Sequence, residues 1–323
     1  MTQFTTATFS DLIENVYRRF LGGVTERTVL GSSITSSSST VTLSGPQLTS
    51  VVPGIRLACD LEVCLVTAVS SGVATIERGW SGSNPAAHAA NAVWYINPRI
   101  SRFDIGVAIN DEIRSLSSPS NGLYRVTNAT ISSYSPTFVG YDLGNVSPEL
   151  IKVVQVRYKV PTPYRFYPRI KQNHYELDLN QPDTSVFPSG MALYIKSGGF
   201  PGMPVYLTYT APFVPLVNLT DDIHNTPAVN DPAPPANGYT VTTLPNLSNT
   251  MDDLLPLGAI IRLTLGREIA RNFLEAQPDA RKAQEVPPGA VMSSVNGLAQ
   301  ERQARIQEEA DRLKRKYAIP RRY

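Results

Sequence analysis

With 323 residues, the chain has room for two or three domains and a sizeable core. Apolar residues make up 42%, a globular fraction, and charged residues only 17%, below the usual roughly 25%. A net charge of +2 excludes a global field that would gather nucleic acid or an anionic membrane, and no apolar run reaches the roughly 18 residues that span a bilayer.

The first residues, Met1 to Thr6, lack the basic and apolar regions of a secretory signal. Thr8 to Leu21 reads as a short helix. Thr8 with Asp11 resembles a capping box with a short acid, and Ser10 is a rival cap. Leu12, Val16 and Phe20 form one row, Ile13, Tyr17 and Leu21 the next, and Gly22-Gly23 supplies a left-handed stop.

Glu26 to Pro98 is all-β by pattern. Thr40 to Ser44 alternates, Gly54 to Val69 is an apolar run, Ser70-Ser71-Gly72 is a hairpin connection, and Val73 to Glu77 returns. Ser36 to Ser39 reads as a flexible loop tip. Short strands with turn residues between them predict a small barrel or sandwich. Cys59 and Cys64 lie five apart in one run. On a single strand that spacing turns them to opposite faces, so two buried thiols are expected, and the stretch offers too few ligands for a metal.

Ser101 to Leu116 returns to helix, with Ser101 and Asp104 as its cap and Ile105, Ile109, Ile113 and Leu116 as its stripe. From Gly122 to Leu219 the pattern is β again, rich in tyrosine. Val153–Tyr158, Tyr175–Leu179, Met191–Ile195 and Val205–Tyr209 are strands with prolines between them, which predicts an antiparallel sandwich. Leu219 to Asn249 is a Pro-rich connection, stiff at Pro232 to Pro235. Leu254 to Leu274 follows as a helix with Leu257, Ile261, Leu265, Ile269 and Phe273 every four positions. After a break at Pro278 to Gly289, a charged helix runs from about Leu298 to Tyr317 with a thin seam of Ala299, Ile306, Ala310, Leu313 and Tyr317.

The expected class is α+β. Helices at 1–25, 100–121 and 251–323 gather into one bundle. Into it are inserted a small β unit (26–99) and a larger antiparallel sandwich (122–219), with 220–250 as the connection. Short helices are marginal alone, which is why three separated stripes are expected to meet.

A search for chemistry is negative. His88, His174 and His224 sit in different segments without metal spacing, and there is no G-x-S-x-G elbow, P-loop or G-x-G-x-x-G. Asp178 with Asp183, and Asp221-Asp222, read as turn acids rather than glycosidase pairs. Trp80 and Trp94 read as ring-stacked core before they read as a sugar platform. No catalytic, cofactor-binding or metal residue is nominated, and the chain is not expected to be an enzyme. In the loop Glu77 to His88, Gly79 and Gly82 permit a tight turn with positive φ. The basic end is less easily dismissed. From Glu309 to Tyr323 there are six Lys or Arg against two acids, and Lys314, Arg315 and Lys316 are followed beyond Pro320 by Arg321, Arg322 and Tyr323. A helix dipole needs only one or two cations, so an interface anchor is expected here.

One stretch resembles a known family. Glu77-Arg-Gly-Trp-Ser-Gly-Ser-Asn-Pro-Ala-Ala-His88, with Arg78, Gly79, Trp80, Gly82 and His88, is similar to an Arg-Gly-x-x-Gly-(Ser/Thr)-x-Ala-x-x-His stretch of tailed-bacteriophage virion proteins. Asn97 to Ile113 resembles the start of the helix in phage head-to-tail connector (adaptor) proteins. The likeness covers roughly residues 75–117 and elsewhere extends only to layout. It implies a homo-dodecameric ring in the virion neck, made in the host bacterial cytoplasm, between the portal protein and tail or nozzle proteins. Double-stranded DNA would pass through the lumen without sequence readout, and neither a membrane nor a cofactor is implied. In this reading Ile306, Leu313, Lys314, Arg315, Lys316, Tyr317, Arg321, Arg322 and Tyr323 dock on the portal. The alternative is a tail or baseplate protein whose aromatic β units bind host carbohydrate; weaker still is a carbohydrate-active enzyme.

Overall fold

A computed structural model describes residues 8–20, 26–45, 48–133, 140–144, 146, 150–158, 169–196, 201–225, 246–275 and 290–317. The Pro232 to Pro235 segment, the break at Pro278 to Gly289, and Arg321, Arg322 and Tyr323 lie outside them. The fold is α+β and divides into two compact units. One comprises Met1–Glu112, Leu216–Asp221 and Asp252–Gln303; the other comprises Ile113–Pro215, Asp222–Met251 and Ala304–Tyr323.

In the first unit, α1 (Phe9–Phe20) begins at the expected capping box. The Asp11 amide donates to the Thr8 hydroxyl, and the Thr8 amide and hydroxyl donate back to Asp11. Ser10 is inside the helix and does not cap it. Six strands follow: β1 (Arg27–Leu30), β2 (Thr40–Ser44), β3 (Arg56–Cys59), β4 (Glu62–Ser70), β5 (Val73–Glu77) and β6 (Val93–Ile96). They form a closed barrel in the order β1-β2-β5-β4-β3-β6, with β1 antiparallel to β6. Strand β2 alternates outward and buried, and Leu30, Val41, Leu57, Cys64 and Trp94 fill the interior. The run Gly54 to Val69 is not one strand. A two-residue turn at Asp60-Leu61, with Asp60 at φ +51°, folds β4 back on β3 so that Leu57 pairs with Cys64 and Cys59 with Glu62. Both cysteines are free and buried, as expected, but they stand on different strands.

Three further helices are α2 (Arg102–Leu116), α3 (Leu254–Glu275) and α4 (Ala290–Lys316), which starts eight residues before the expected Leu298. Ser101 and Asp104 cap α2 reciprocally, as expected. Arg102 of α2 pairs with Glu14 of α1. Glu112 of α2, 1% exposed, accepts from Arg302 Nε of α4 at 2.6 Å and from Arg262 of α3 at 3.3 Å. A Cβ at Gly258 would overlap the Glu112 carboxyl group, which Arg302 and Arg262 hold in place, so this approach of α3 to α2 favours glycine. Of the side chains described on α3, Leu254, Leu255, Pro256, Gly258 and Ala259 are buried, while Leu257, Ile261 and Leu265 of the expected core row are only half-buried; Ile269 and Phe273 of that row lie outside the described side chains.

In the second unit, β7 (Arg125–Ser133), β9 (Lys152–Tyr158), β10 (Arg169–Ile170) and β13 (Pro204–Ala211) form a four-stranded sheet in the order β10-β9-β13-β7. A three-stranded sheet contains β8 (Tyr141–Asp142), β11 (Tyr175–Asp178) and β12 (Ala192–Ile195) in the order β11-β12-β8. Every pairing is antiparallel. Val156, Val205 and Leu207 from the first sheet share one core with Tyr141, Leu193 and Ile195 from the second. Among the described residues no helix is long and apolar enough to cross a membrane.

Candidate functional site: a charged network inside the barrel

Glu62 is the first residue of β4, and Arg78 follows the last residue of β5. Antiparallel pairing of these strands, with Leu65 opposite Glu77, brings the two side chains together. Glu62 is 1% exposed and His88 5%, so both charges must be answered inside. Arg78 does so in a fork: Nε donates to Glu62 Oε1 at 2.5 Å and Nη2 to Oε2 at 2.7 Å. Its remaining donors reach the Thr35 carbonyl at 2.8 Å, the Ser38 carbonyl at 3.2 Å and the Ala86 carbonyl. The Ala86 amide returns to Glu62 Oε2 at 3.0 Å, and His88 Nε2–H donates to the same oxygen at 2.9 Å. One carboxylate and one guanidinium thus tie β4, β5, the loop at 35–38 and the loop at 86–88. The serine run expected to be loose is held by Arg78 at its carbonyls and by Thr35–Ser38 hydrogen bonds.

The glycines behave as expected. Gly79 and Gly82 have φ of +68° and +83°, and a Cβ at Gly79 would meet the Ser83 carbonyl oxygen at 2.9 Å. Ser83, buried, bonds the backbone of Val63 in both directions. His88 is paired through its backbone with Ile34, and its ring meets Trp94 edge-on at 5.4 Å.

The other face of His88 looks toward the β3–β4 turn. Nδ1 lies 3.4 Å from Cys59 Sγ and 3.7 Å from Asp60 Oδ2. Hydrogen bonding with Asp60, Cys59 and Glu62 outweighs burial and raises His88 to about 11; by distance, Glu62 is the closer carboxylate. Burial alone would raise Glu62, but bonds from His88, Arg78 and the Ala86 amide hold it down to about 2. Its bond with His88 lowers Asp60. Burial pushes the Cys59 thiol up, only partly offset by His88, and burial and the Glu62 carboxylate push Cys64 up as well. Thiols raised in this way are poor nucleophiles.

The expected site residues are distributed unevenly. Arg78, Gly79, Gly82 and His88 belong to this network, whereas Trp80 is 37% exposed beside it and Trp94 is fully buried. The two rings therefore form no shared platform. Glu62 and Asp60 carry no motif in the sequence, and Cys59 is expected there only as a buried thiol. The usable signal was Arg78 itself, whose five donors need a carboxylate wherever its strand is buried. At the C-terminal helix, Ile306 and Ala310 are buried within the chain, at 1% and 7% exposed, which corrects the expectation that Ile306 docks on a partner. Thr250 bonds Glu309 at 3.0 Å, Arg305 reaches the Thr250 carbonyl at 3.0 Å, and Arg312 reaches Ser248 at 3.1 Å. Leu313 and Tyr317 are half-buried. Lys314, Arg315 and Lys316 are exposed, with Lys314 paired to Asp311 and Lys316 over the Tyr317 ring.

Comparison with protein-family models, with curated proteins and with solved structures finds no match for this chain.

Proposed function

We propose that the chain is a structural virion protein, a head-to-tail adaptor that forms a ring below the portal, links the capsid to the tail and surrounds the DNA channel. The observation that carries the reading is the end of α4. The turns at Arg305 to Arg312 are anchored on the chain's own Ser248 and Thr250, and the next turn presents Lys314, Arg315 and Lys316 outward. An anchored helix with an exposed cationic end holds its charges in place for a partner's acidic groups. The docking surface is this turn and the tail after it, not the apolar seam. The contacts Glu14–Arg102 and Arg262–Glu112–Arg302 support a helical scaffold, and the half-buried row Leu257, Ile261 and Leu265 offers an apolar stripe for neighbouring copies in the ring. The resemblance of residues 75–117 to phage connectors supports the same assignment. DNA in the lumen would be passed without base readout.

The full chain, imaged by negative stain, is expected to give twelve-fold rings, and deletion of residues 298–323 is expected to abolish attachment to the portal while the barrel still folds. Trimers, or unchanged attachment of the truncated chain, would overturn the proposal. The carbohydrate-binding alternative retains one favourable observation, the partial exposure of Trp80; glycan-array binding lost on Trp80→Ala would support it.

A further inference from the structure

From the geometry of the β3–β4 turn we infer that Cys59, Asp60 and His88 form a binding site for a zinc-class divalent cation, with Glu62 as the carboxylate that orients the histidine. Cys59 Sγ, Asp60 Oδ2 and His88 Nδ1 all lie within 4.8 Å of one another. The three edges are 3.4 Å for Sγ to Nδ1, 3.7 Å for Nδ1 to Oδ2 and 3.8 Å for Sγ to Oδ2. Tetrahedral zinc with ordinary bond lengths requires edges of about 3.6 Å for sulfur to nitrogen or oxygen and about 3.4 Å for nitrogen to oxygen. The observed triangle fits such an ion with little movement.

The surroundings match the chemistry. Zinc-bound histidines almost always donate their second ring N–H to a carboxylate or carbonyl, which fixes the tautomer. Here Nε2–H donates to Glu62 Oε2 at 2.9 Å, leaving Nδ1 aimed at Cys59 and Asp60, and Glu62 is itself clamped by the Arg78 fork. Cys59 and His88 are 2% and 5% exposed, while the Asp60 side chain is 53% exposed. Two ligands are therefore fixed, Cys59 on β3 and His88 in the loop bridged to Ile34. The third opens to solvent, where an ion can enter and a water complete four-coordination. Arg102, 3.9 Å from the far oxygen Oδ1, steadies the carboxylate without occupying Oδ2.

Binding exchanges protons for the cation. The Cys59 thiol gives up its S–H proton and His88 its Nδ1 proton, Nε2–H remaining on Glu62. Cys64 takes no part: its sulfur faces Glu62 Oε1 at 3.4 Å. The bound ion would staple the β3–β4 turn to the loop that ends at His88.

The test uses the full chain, stripped with chelator and titrated with Co²⁺. One equivalent should produce a thiolate-to-cobalt charge-transfer band that Zn²⁺ abolishes. Cys59→Ser should eliminate the band and Cys64→Ser should keep it. Glu62→Gln should weaken Zn²⁺ affinity by roughly 10- to 100-fold. Should Cys59→Ser fail to fold, Asp60→Asn at the exposed ligand serves instead, with an altered cobalt spectrum and weakened Zn²⁺ binding expected. No band in the unaltered chain, a band that survives Cys59→Ser, or a spectrum unchanged by Asp60→Asn would overturn the site.

Discussion

Inside the barrel, a carboxylate, a guanidinium and an imidazole lie together out of water. In the sandwich the side-chain fastenings are smaller: Asp142 accepts from the Ser189 amide and hydroxyl at 3.0 and 2.7 Å, Asp183 accepts from Ser185, and Thr208 donates to Asn128 at 2.6 Å across β13 and β7. The difference follows from how each unit is built. Strand β13 pairs along its length with β7 on one side and β9 on the other, so its ladders set its register. The barrel strands are mostly four or five residues long, and two wandering loops lie between them. A buried ion network fastens those loops where ladders do not reach.

Several measurements would break or sharpen that contrast, read by hydrogen exchange so that the two units are followed separately. The largest effect is expected for Arg78→Ala, which strands the Glu62 carboxylate without its closest cation; breaking a buried pair in this way costs about 3–5 kcal/mol. Protection should fall across the barrel amides and stay unchanged in the sandwich. Leu207→Ala, at a fully buried sandwich position, should do the reverse at about 2–5 kcal/mol. Equal losses in both units for either variant would deny that they are separately fastened.

Acid and alkali act on the same barrel charges. In chelator-treated protein, Glu62 is lowered from 4.5 to about 2, so its contribution is complete above pH 4.5 and lost as pH falls through about 2. His88 is raised from 6.5 to about 11, so its contribution is complete below pH 6.5 and lost as pH rises through about 11. Barrel protection should therefore peak between these limits; a profile matching that of the sandwich would remove the network as its cause. Smaller still, Ser189→Ala should cost about 0.5–1.5 kcal/mol, confined to the turn it holds. Lys314→Glu, on the exposed end of α4, should change stability by less than about 0.5 kcal/mol, and it should weaken the portal attachment proposed above.

How much of this was legible in advance depends on the range of the interaction. Thr8 with Asp11 and Ser101 with Asp104 are three residues apart, and both helix starts were read from them. Ser70-Ser71-Gly72 is equally local, and the hairpin it implies is present, Ser71 and Gly72 both having positive φ. Gly54 to Val69 misleads because nothing apolar marks a turn inside a buried run; between β3 and β4 only Asp60 and Leu61 leave the strands, and a single Asp is a weak turn signal. That error hid the site. With Cys59 and Cys64 on one strand there was no reason to bring His88, some thirty residues on, to either of them. Gly258 shows the same limit on a helix. Its missing side chain matters because of Glu112, about 150 residues earlier, and periodicity could not reveal which face of α3 would be covered.

Strand β1 closes on β6, and that closure constrains any partner of the barrel. Every strand has a neighbour on both sides, so the barrel offers no edge strand for a foreign chain to lengthen. Recognition there must pass through side chains and loops, Trp80 among them. The four-stranded sheet, by contrast, has β10 and β7 as its outer strands among the described residues.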